Sequence, residues 1–182
     1  MKIDIFSTNK KYDIIYADPP WKYKTWNLKS GGSTAERHYH CMEKQDIQDL
    51  PIKTLSNKNC VLFLWVTMPN LPEGLELIKK WGFSYKTCAF TWVKRNKKSD
   101  SWFMGNGYWT RANSELCLLA TKGKPKKISC SVRQIIDSRI RKHSQKPDET
   151  YSRIIELLGD LPRIELFARQ HVNGWDCWGD EV

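Results

Sequence analysis

The chain has 182 residues, and its 30 Lys and Arg against 20 Asp and Glu give a formal net charge of +10. That length fits one domain, 1–182, and requires no second; the longest apolar run, 60–66, is too short to cross a bilayer, so no membrane association is expected. The positive excess favours a polyanionic partner such as nucleic acid, although a generally basic soluble protein would give the same sum; nine Trp, seven Tyr and six Phe among the cations suit a surface that also stacks bases.

The amino terminus has no apolar core with a small-residue cleavage site, so no signal peptide is read and a cytoplasmic location is expected. The six cysteines, Cys41, Cys60, Cys88, Cys117, Cys130 and Cys177, are scattered without a Cys-x-x-Cys pair and read as reduced core residues. His38-Tyr39-His40-Cys41 lacks a second ligand pair at zinc spacing, and no metal is expected.

In chain order, Tyr12-Asp13-Ile14-Ile15-Tyr16-Ala17 reads as a buried strand, stopped by Asp18-Pro19-Pro20-Trp21. Asp18 then sits at a strand's carboxyl end, the edge where open α/β sheets bind ligands. Its carboxylate and the Pro19 carbonyl form a pair of acceptors that no local N–H is expected to occupy, since neither proline has one. Such a pair suits the exocyclic amine of adenine or cytosine: accepting both N–H bonds draws the nitrogen lone pair out of ring conjugation, and Trp21 offers a face for stacking. A stiff turn with Trp21 capping the core is the plain alternative.

The polar, glycine-bearing stretch 22–40 reads as a substrate loop ending near Tyr39. A weak helix over 42–50 is broken by Pro51, and 60–66 is apolar on both faces, as in a parallel strand covered by helices on each side. Pro72 opens a helix with Leu75, Leu77, Ile78 and Trp81 on its apolar face; Gly82 closes it, and 83–93 returns as a strand, completing a β-α-β repeat.

Lys94, Arg95, Lys97 and Lys98 stand near Trp102, Phe103 and Tyr108, a pattern that fits either a groove for phosphates and splayed bases or a solvated loop with an aromatic anchor. A strand is expected over 115–121, and Arg133, Arg139, Arg141, Lys142 and His143 form a second cationic segment. Pro147 then starts a helix with Asp148 and Glu149 in its first turn and Tyr151, Ile154, Ile155 and Leu158 inward, up to Gly159. Lys146 is thereby held at a helix entrance, where it can meet a carboxylate. The last clear strand is 163–168; Glu165 within it needs a partner, either backbone groups of a neighbouring loop or, preferred here, an ion pair.

Taken together, Asp18-Pro19-Pro20-Trp21, Leu62-Phe63-Leu64-Trp65-Val66-Thr67, Trp81-Gly82-Phe83, Trp92-Val93-Lys94, Lys122-Gly123, Lys146-Pro147-Asp148-Glu149, Ile164-Glu165-Leu166-Phe167-Ala168-Arg169 and Gly174-Trp175-Asp176 come in the order seen in a known family. The chain resembles, from about 12 to 182, the seventy-kilodalton-subunit family of messenger-RNA adenosine-N6 methyltransferases and its bacterial and phage DNA-modifying relatives. The resemblance implies an α/β, Rossmann-like fold dependent on S-adenosylmethionine: a mostly parallel seven-stranded sheet with one reversed strand, helices on both faces, and the motifs in permuted order, catalytic first and cofactor-binding last.

By the same resemblance, Asp18 binds the target amine and the methionine amino group of S-adenosylmethionine, with Pro19, Pro20 and Trp21 completing the catalytic motif. Lys146 pairs with the methionine carboxylate. Phe167, Arg169, His171, Asp180 and Glu181 contact the rest of the cofactor, and Tyr39 helps Trp21 clamp the base. Apart from the resemblance, the two cationic segments make Lys94, Arg95, Arg139, Arg141 and Lys142 the expected substrate contacts. Two positions depart from the pattern: Gln170 stands where the messenger-RNA enzymes frequently carry proline, and Asp180 where they carry Asn.

The expected activity is methyl transfer to adenine N6, in DNA rather than RNA because the chain lacks the RNA-recruiting extensions of the eukaryotic enzymes. Cytosine-N4 methylation and a non-catalytic nucleic-acid-binding scaffold are the rivals. Relatives act as homodimers or heterodimers; a homodimer is expected, with 94–109 as a candidate interface.

Overall fold

A computed structural model describes residues 1–21, 42–107, 109–142 and 144–182. Its frame is a seven-stranded sheet: β1 (Tyr12–Ala17), β2 (Ser56–Val66), β3 (Ser84–Arg95), β4 (Ser114–Lys122), β5 (Ile135–Arg139), β6 (Arg163–Leu166) and β7 (Asp176–Trp178), in the order β5-β3-β4-β2-β1-β6-β7. β1 pairs in parallel with β2 and β6, β6 with β7, and β3 with β5, while β4 runs antiparallel to both β2 and β3. β4 is therefore the reversed strand of an otherwise parallel α/β sheet.

Among the described residues, the α-helices α1 (Lys44–Gln48), α2 (Ile52–Leu55), α3 (Leu71–Lys80) and α4 (Glu149–Leu158) accompany it, with a 3-10 turn over Met68–Asn70. The period-2 alternation of strands divides the core in two. On one face, Ile15 and Ala17 of β1 and Cys60, Leu62, Leu64 and Val66 of β2 pack with Ile47, Ile52, Leu77, Ile78 and Trp81 from α1 to α3. On the other, Ile14, Tyr16, Val61, Phe63 and Trp65 pack with Ile154 and Leu158 of α4 and with Trp175. Each such side chain contributes roughly 1.5–3 kcal/mol on full burial, which is why β2 reads as continuously apolar.

The helix boundaries follow local chemistry. Pro72 sits in the first turn of α3, where its missing N–H is harmless, and Trp81 ends that helix with its indole N–H donated to the Ile47 carbonyl at 3.0 Å, tying α3 to α1. Gly74 lies so close to β2 that a Cβ there would meet Val66 Cγ1 at 2.5 Å. At the end of α4, Gly159 takes φ 88°, a conformation that glycine adopts without penalty.

Several short elements carry no clear signal in the sequence. β5 falls in the stretch taken as a cationic segment, where only Ile136 is buried, so no apolar alternation marks it. β7 is three residues long, inside what reads as a loop, and α2 is a single turn after Pro51. The expectation of core cysteines holds for Cys60, Cys117 and Cys177, which are buried, but Cys88 is only partly buried and Cys130 is exposed; Cys41 lies outside the described residues. Among the described residues no helix is long and apolar enough to cross a membrane.

Candidate active site

β1 ends at Ala17, flanked by Leu64 of β2 and Leu166 of β6. Onward connections leave these two neighbours in opposite directions along the sheet, so the carboxyl end of β1 is a topological switch point, the usual place for a ligand crevice. Asp18 stands there. Lys146, delivered by the segment before α4, donates from Nζ to Asp18 Oδ2 at 2.7 Å and lies 3.2 Å from Glu115 Oε2 on β4. Glu115 in turn receives Lys94 Nζ from β3 at 2.5 Å. Two acids and two bases, each mostly buried, thus alternate from the end of β1 through the segment before α4 to β4 and β3.

Burial sets the protonation of this chain of charges. Desolvation holds the Asp18 carboxyl above its ordinary value, with the Glu115 charge adding to the rise and Lys146 and Arg169 working against it. Burial alone would lower Lys146, but Asp18 and Glu115 outweigh it and raise the ammonium well above its usual value. Glu115, despite burial, is held below the ordinary glutamate range by Lys146 and Lys94. The result is a firmly charged Lys146 next to a carboxylate that binds a proton more readily than a surface aspartate does.

Asp18, Pro19, Trp21, Trp65, Val66, Thr67, Glu115, Ser144 and Lys146 line a small cavity of about 30 Å3, roughly one water's share of liquid volume. Trp21 is buried, pairs with Met42 through a backbone bridge, and its indole N–H is a buried donor with no hydrogen-bond partner among the described residues. The Pro20 carbonyl accepts the Met42 N–H at 3.2 Å. One expectation fails here: the Trp21 N–H donates to the Pro19 carbonyl at 2.8 Å, so a local donor does reach that oxygen. A carbonyl has two lone pairs, so one such bond does not exhaust it.

The segment after β6 supplies the remaining candidates. Phe167 has φ 62°, a left-handed conformation rare outside glycine, and its ring packs edge-on against Trp178 at 5.4 Å. Gly179 is required behind it, because a Cβ there would meet the Ala168 carbonyl oxygen at 2.3 Å. Arg169 faces Glu181 at 3.6 Å, and Asp180 is exposed beside them. His171 lies farther back, with Nδ1 3.2 Å from Cys177 Sγ. It lines a much larger groove, about 910 Å3, together with Lys10, Tyr12, Arg163, Trp175 and Asp176 at the amino-terminal edge of the sheet. Asp18, Lys146 and Arg169 do not line that groove, and size alone gives it no chemistry.

The cations expected to meet phosphate are largely engaged. Lys94 belongs to the buried charge chain, Arg95 binds Asp137 and stacks over Trp102 at 4.1 Å, Arg139 pairs with Asp100 at 2.6 Å, and Arg141 pairs with Asp148. Lys142 is exposed. Tyr39, with the rest of 22–41, and Tyr108 and His143 lie outside the described residues. Glu165 forms no ion pair among the described residues; it accepts the Tyr151 hydroxyl at 3.0 Å on each oxygen. The residue that sequence reasoning missed is Glu115, seen only as the start of an apolar strand; an acid entering such a strand was the available signal.

A switch-point crevice holding an acid, a proline carbonyl, a tryptophan and a buried lysine, on a seven-stranded sheet with one reversed strand, is consistent with a Rossmann-like methyltransferase fold. The MT-A70 family model matches residues 12–181, and the chain belongs to that family. It is 33% identical, over 95% of its own length and 78% of the relative's, to the Type II methyltransferase M.MunI of a Mycoplasma species. It is 31% identical to the human N(6)-adenosine-methyltransferase catalytic subunit METTL3 over 88% of this chain, and 28% identical to the Arabidopsis thaliana N(6)-adenosine-methyltransferase MT-A70-like over its whole length. The chain spans only about a quarter of the length of those two eukaryotic relatives.

Proposed function

We propose that this chain transfers a methyl group from S-adenosylmethionine to the N6 amine of adenine in DNA. The observation that carries the reading is the buried contact of Lys146 with Asp18 beside Pro19 and Trp21, in a member of a family whose named relatives are N(6)-adenosine-methyltransferases. Likeness to a Type II methyltransferase over most of that protein's own length favours DNA over RNA.

The residues present fit the cofactor. A zwitterionic amino acid needs an acid and a base side by side, and Asp18 and Lys146 stand 2.7 Å apart. Lys146 would hold its carboxylate and Asp18 its ammonium, with Phe167, Arg169, Asp180 and Glu181 serving the adenosine half; His171, in the groove at the opposite edge of the sheet, is left out of this assignment. When bound, S-adenosylmethionine supplies a methyl group activated on a positively charged sulfur.

The chain's own part is to prepare the amine. Asp18 accepts one N6 hydrogen and the second lone pair of the Pro19 carbonyl accepts the other, which draws the nitrogen toward a tetrahedral, nucleophilic shape. The raised proton affinity of Asp18 suits it to take up the proton that N6 sheds. Trp21 and Tyr39 stack on the base, which must leave the duplex or come from a single strand to reach this edge. Lys94 and Arg141 serve the site itself, the exposed Lys142 is placed to follow the phosphates, and Arg95 and Arg139 join it by exchanging Asp137 and Asp100 for phosphate.

The same reading has the protein cytoplasmic and homodimeric through the hairpin 94–109, where Trp102, Met104 and Trp109 are exposed; light scattering tests the dimer. The activity is tested by incubating the protein with S-adenosylmethionine and DNA or RNA oligonucleotides, then digesting to nucleosides for mass detection. N6-methyladenine from DNA is expected; N4-methylcytosine, methylation of RNA alone, or no product at all overturns the reading.

A further inference from the structure

Asp148 occupies the N-cap of α4, where an aspartate ordinarily accepts a first-turn N–H, yet its side chain makes no such bond. It accepts Arg141 instead, at 2.5 and 2.8 Å, and Gln170 Nε2 at 3.3 Å. Arg141 also donates to the Lys146 carbonyl at 2.7 Å, and Gln145 Nε2 reaches Gln170 Oε1 at 3.4 Å. The ion pair is solvated, Arg141 being 36% and Asp148 59% exposed, and such a pair adds little to stability. A helix that gives up its cap for an exposed ion pair gains position rather than stability.

What the network positions is plain from its ends. One end grips the backbone of Lys146, in a segment that also holds Ser144 at φ 60°, a conformation that must be imposed from outside. The other end is the residue next to Arg169. We infer that Gln170 is a positioning residue, which through Asp148 fixes the loop bearing Lys146 against the loop bearing Arg169 so that both halves of the cofactor site keep one spacing. This rests on the assignment of Lys146 and Arg169 to S-adenosylmethionine made above. Proline, frequent at this position in the messenger-RNA enzymes that the chain resembles, can make neither of the two side-chain bonds.

The test uses the full chain with Gln170→Ala, Arg141→Lys and the double variant. Gln170→Ala is expected to weaken S-adenosylmethionine binding, followed by tryptophan fluorescence, and to raise its KM, each roughly five- to tenfold for the loss of bonds to a charged acceptor. The kcat at saturation and the thermal midpoint stay near those of the parent, while backbone amides of 141–148 exchange faster with deuterium. Arg141→Lys acts through the same Asp148, so the double variant binds no more weakly than the worse single one. Parent-like affinity, unchanged exchange or additive losses overturn the inference while leaving the cofactor reading intact. A parent protein that fails to bind S-adenosylmethionine overturns both.

Discussion

The Lys146 ammonium lies 2.7 Å from the Asp18 carboxylate across 128 residues of chain, one brought by the entrance to α4 and the other by the end of β1. Both groups are mostly withdrawn from water, and Lys146 is held by the charges of Asp18 and Glu115 together. Replacing Asp18 with Ala removes an acceptor for the amine and a base for its proton, and the methyl-transfer rate is expected to fall by at least about a thousandfold. Far-ultraviolet circular dichroism should match the parent, because Asp18 contributes no apolar surface to either core cluster. Transfer of a radiolabelled methyl group to DNA measures the loss.

Lys146→Met has a different signature, since it leaves Asp18 and Glu115 buried without their shared cation. Stranding a buried charge costs about 3–5 kcal/mol, and the thermal midpoint at pH 7 should drop accordingly. Glu115 is held below its ordinary value in the fold, so the stability it contributes is present above about pH 4.5 and is lost as pH falls through its lower folded value. The gap between parent and variant should therefore narrow in acid, where the stranded carboxylates become protonated. Denaturant titrations at pH 7 and pH 4 check this, and an equal gap at both would count against the charge chain.

Trp21 separates stacking from cofactor binding. Trp21 lines the Asp18 cavity, which Arg169 does not, and is also part of the buried core, so Trp21→Ala should weaken DNA binding by roughly 1–3 kcal/mol with some loss of stability besides. Affinity for S-adenosylmethionine should stay close to the parent's. Trp21→Phe keeps a ring face and should recover most of the lost affinity. Fluorescence anisotropy of a labelled oligonucleotide and calorimetry with the cofactor read the two effects independently.

How much of this was legible in the sequence depends on burial. β1, β2 and α4 announce themselves because their apolar positions repeat at the strand or helix period, and Asp18 is found because two prolines stop a buried strand. β5 and β7 gave no such signal: one is an edge strand with a single buried side chain and the other needs only three residues. The same limit hid the wiring of the charges. Arg141 reads as one more cation for phosphate, and only the fold turns it toward Asp148 and the Lys146 carbonyl. Glu115 became visible as a site residue once β4 was seen to run backwards between β2 and β3, which carries its carboxylate to the crevice.

Glu165 offers a prediction with its sign fixed by burial. It lies in β6 opposite Tyr16, 8% exposed, and desolvation lifts its carboxyl from 4.5 to about 7 even though the Tyr151 hydroxyl works the other way. Between those two values the folded protein retains a proton that the unfolded chain has released, so stability falls as pH rises from about 4.5 to about 7 and is level above. A shift of that size corresponds to about 3 kcal/mol. Glu165→Gln keeps the shape and an acceptor for Tyr151 but cannot ionise. It should match the parent in stability near pH 4.5 and exceed it above pH 7, with the difference growing across the interval. Calorimetric melting of both proteins at half-unit steps of pH decides the matter: a constant offset would mean that Glu165 does not change ionisation in this range.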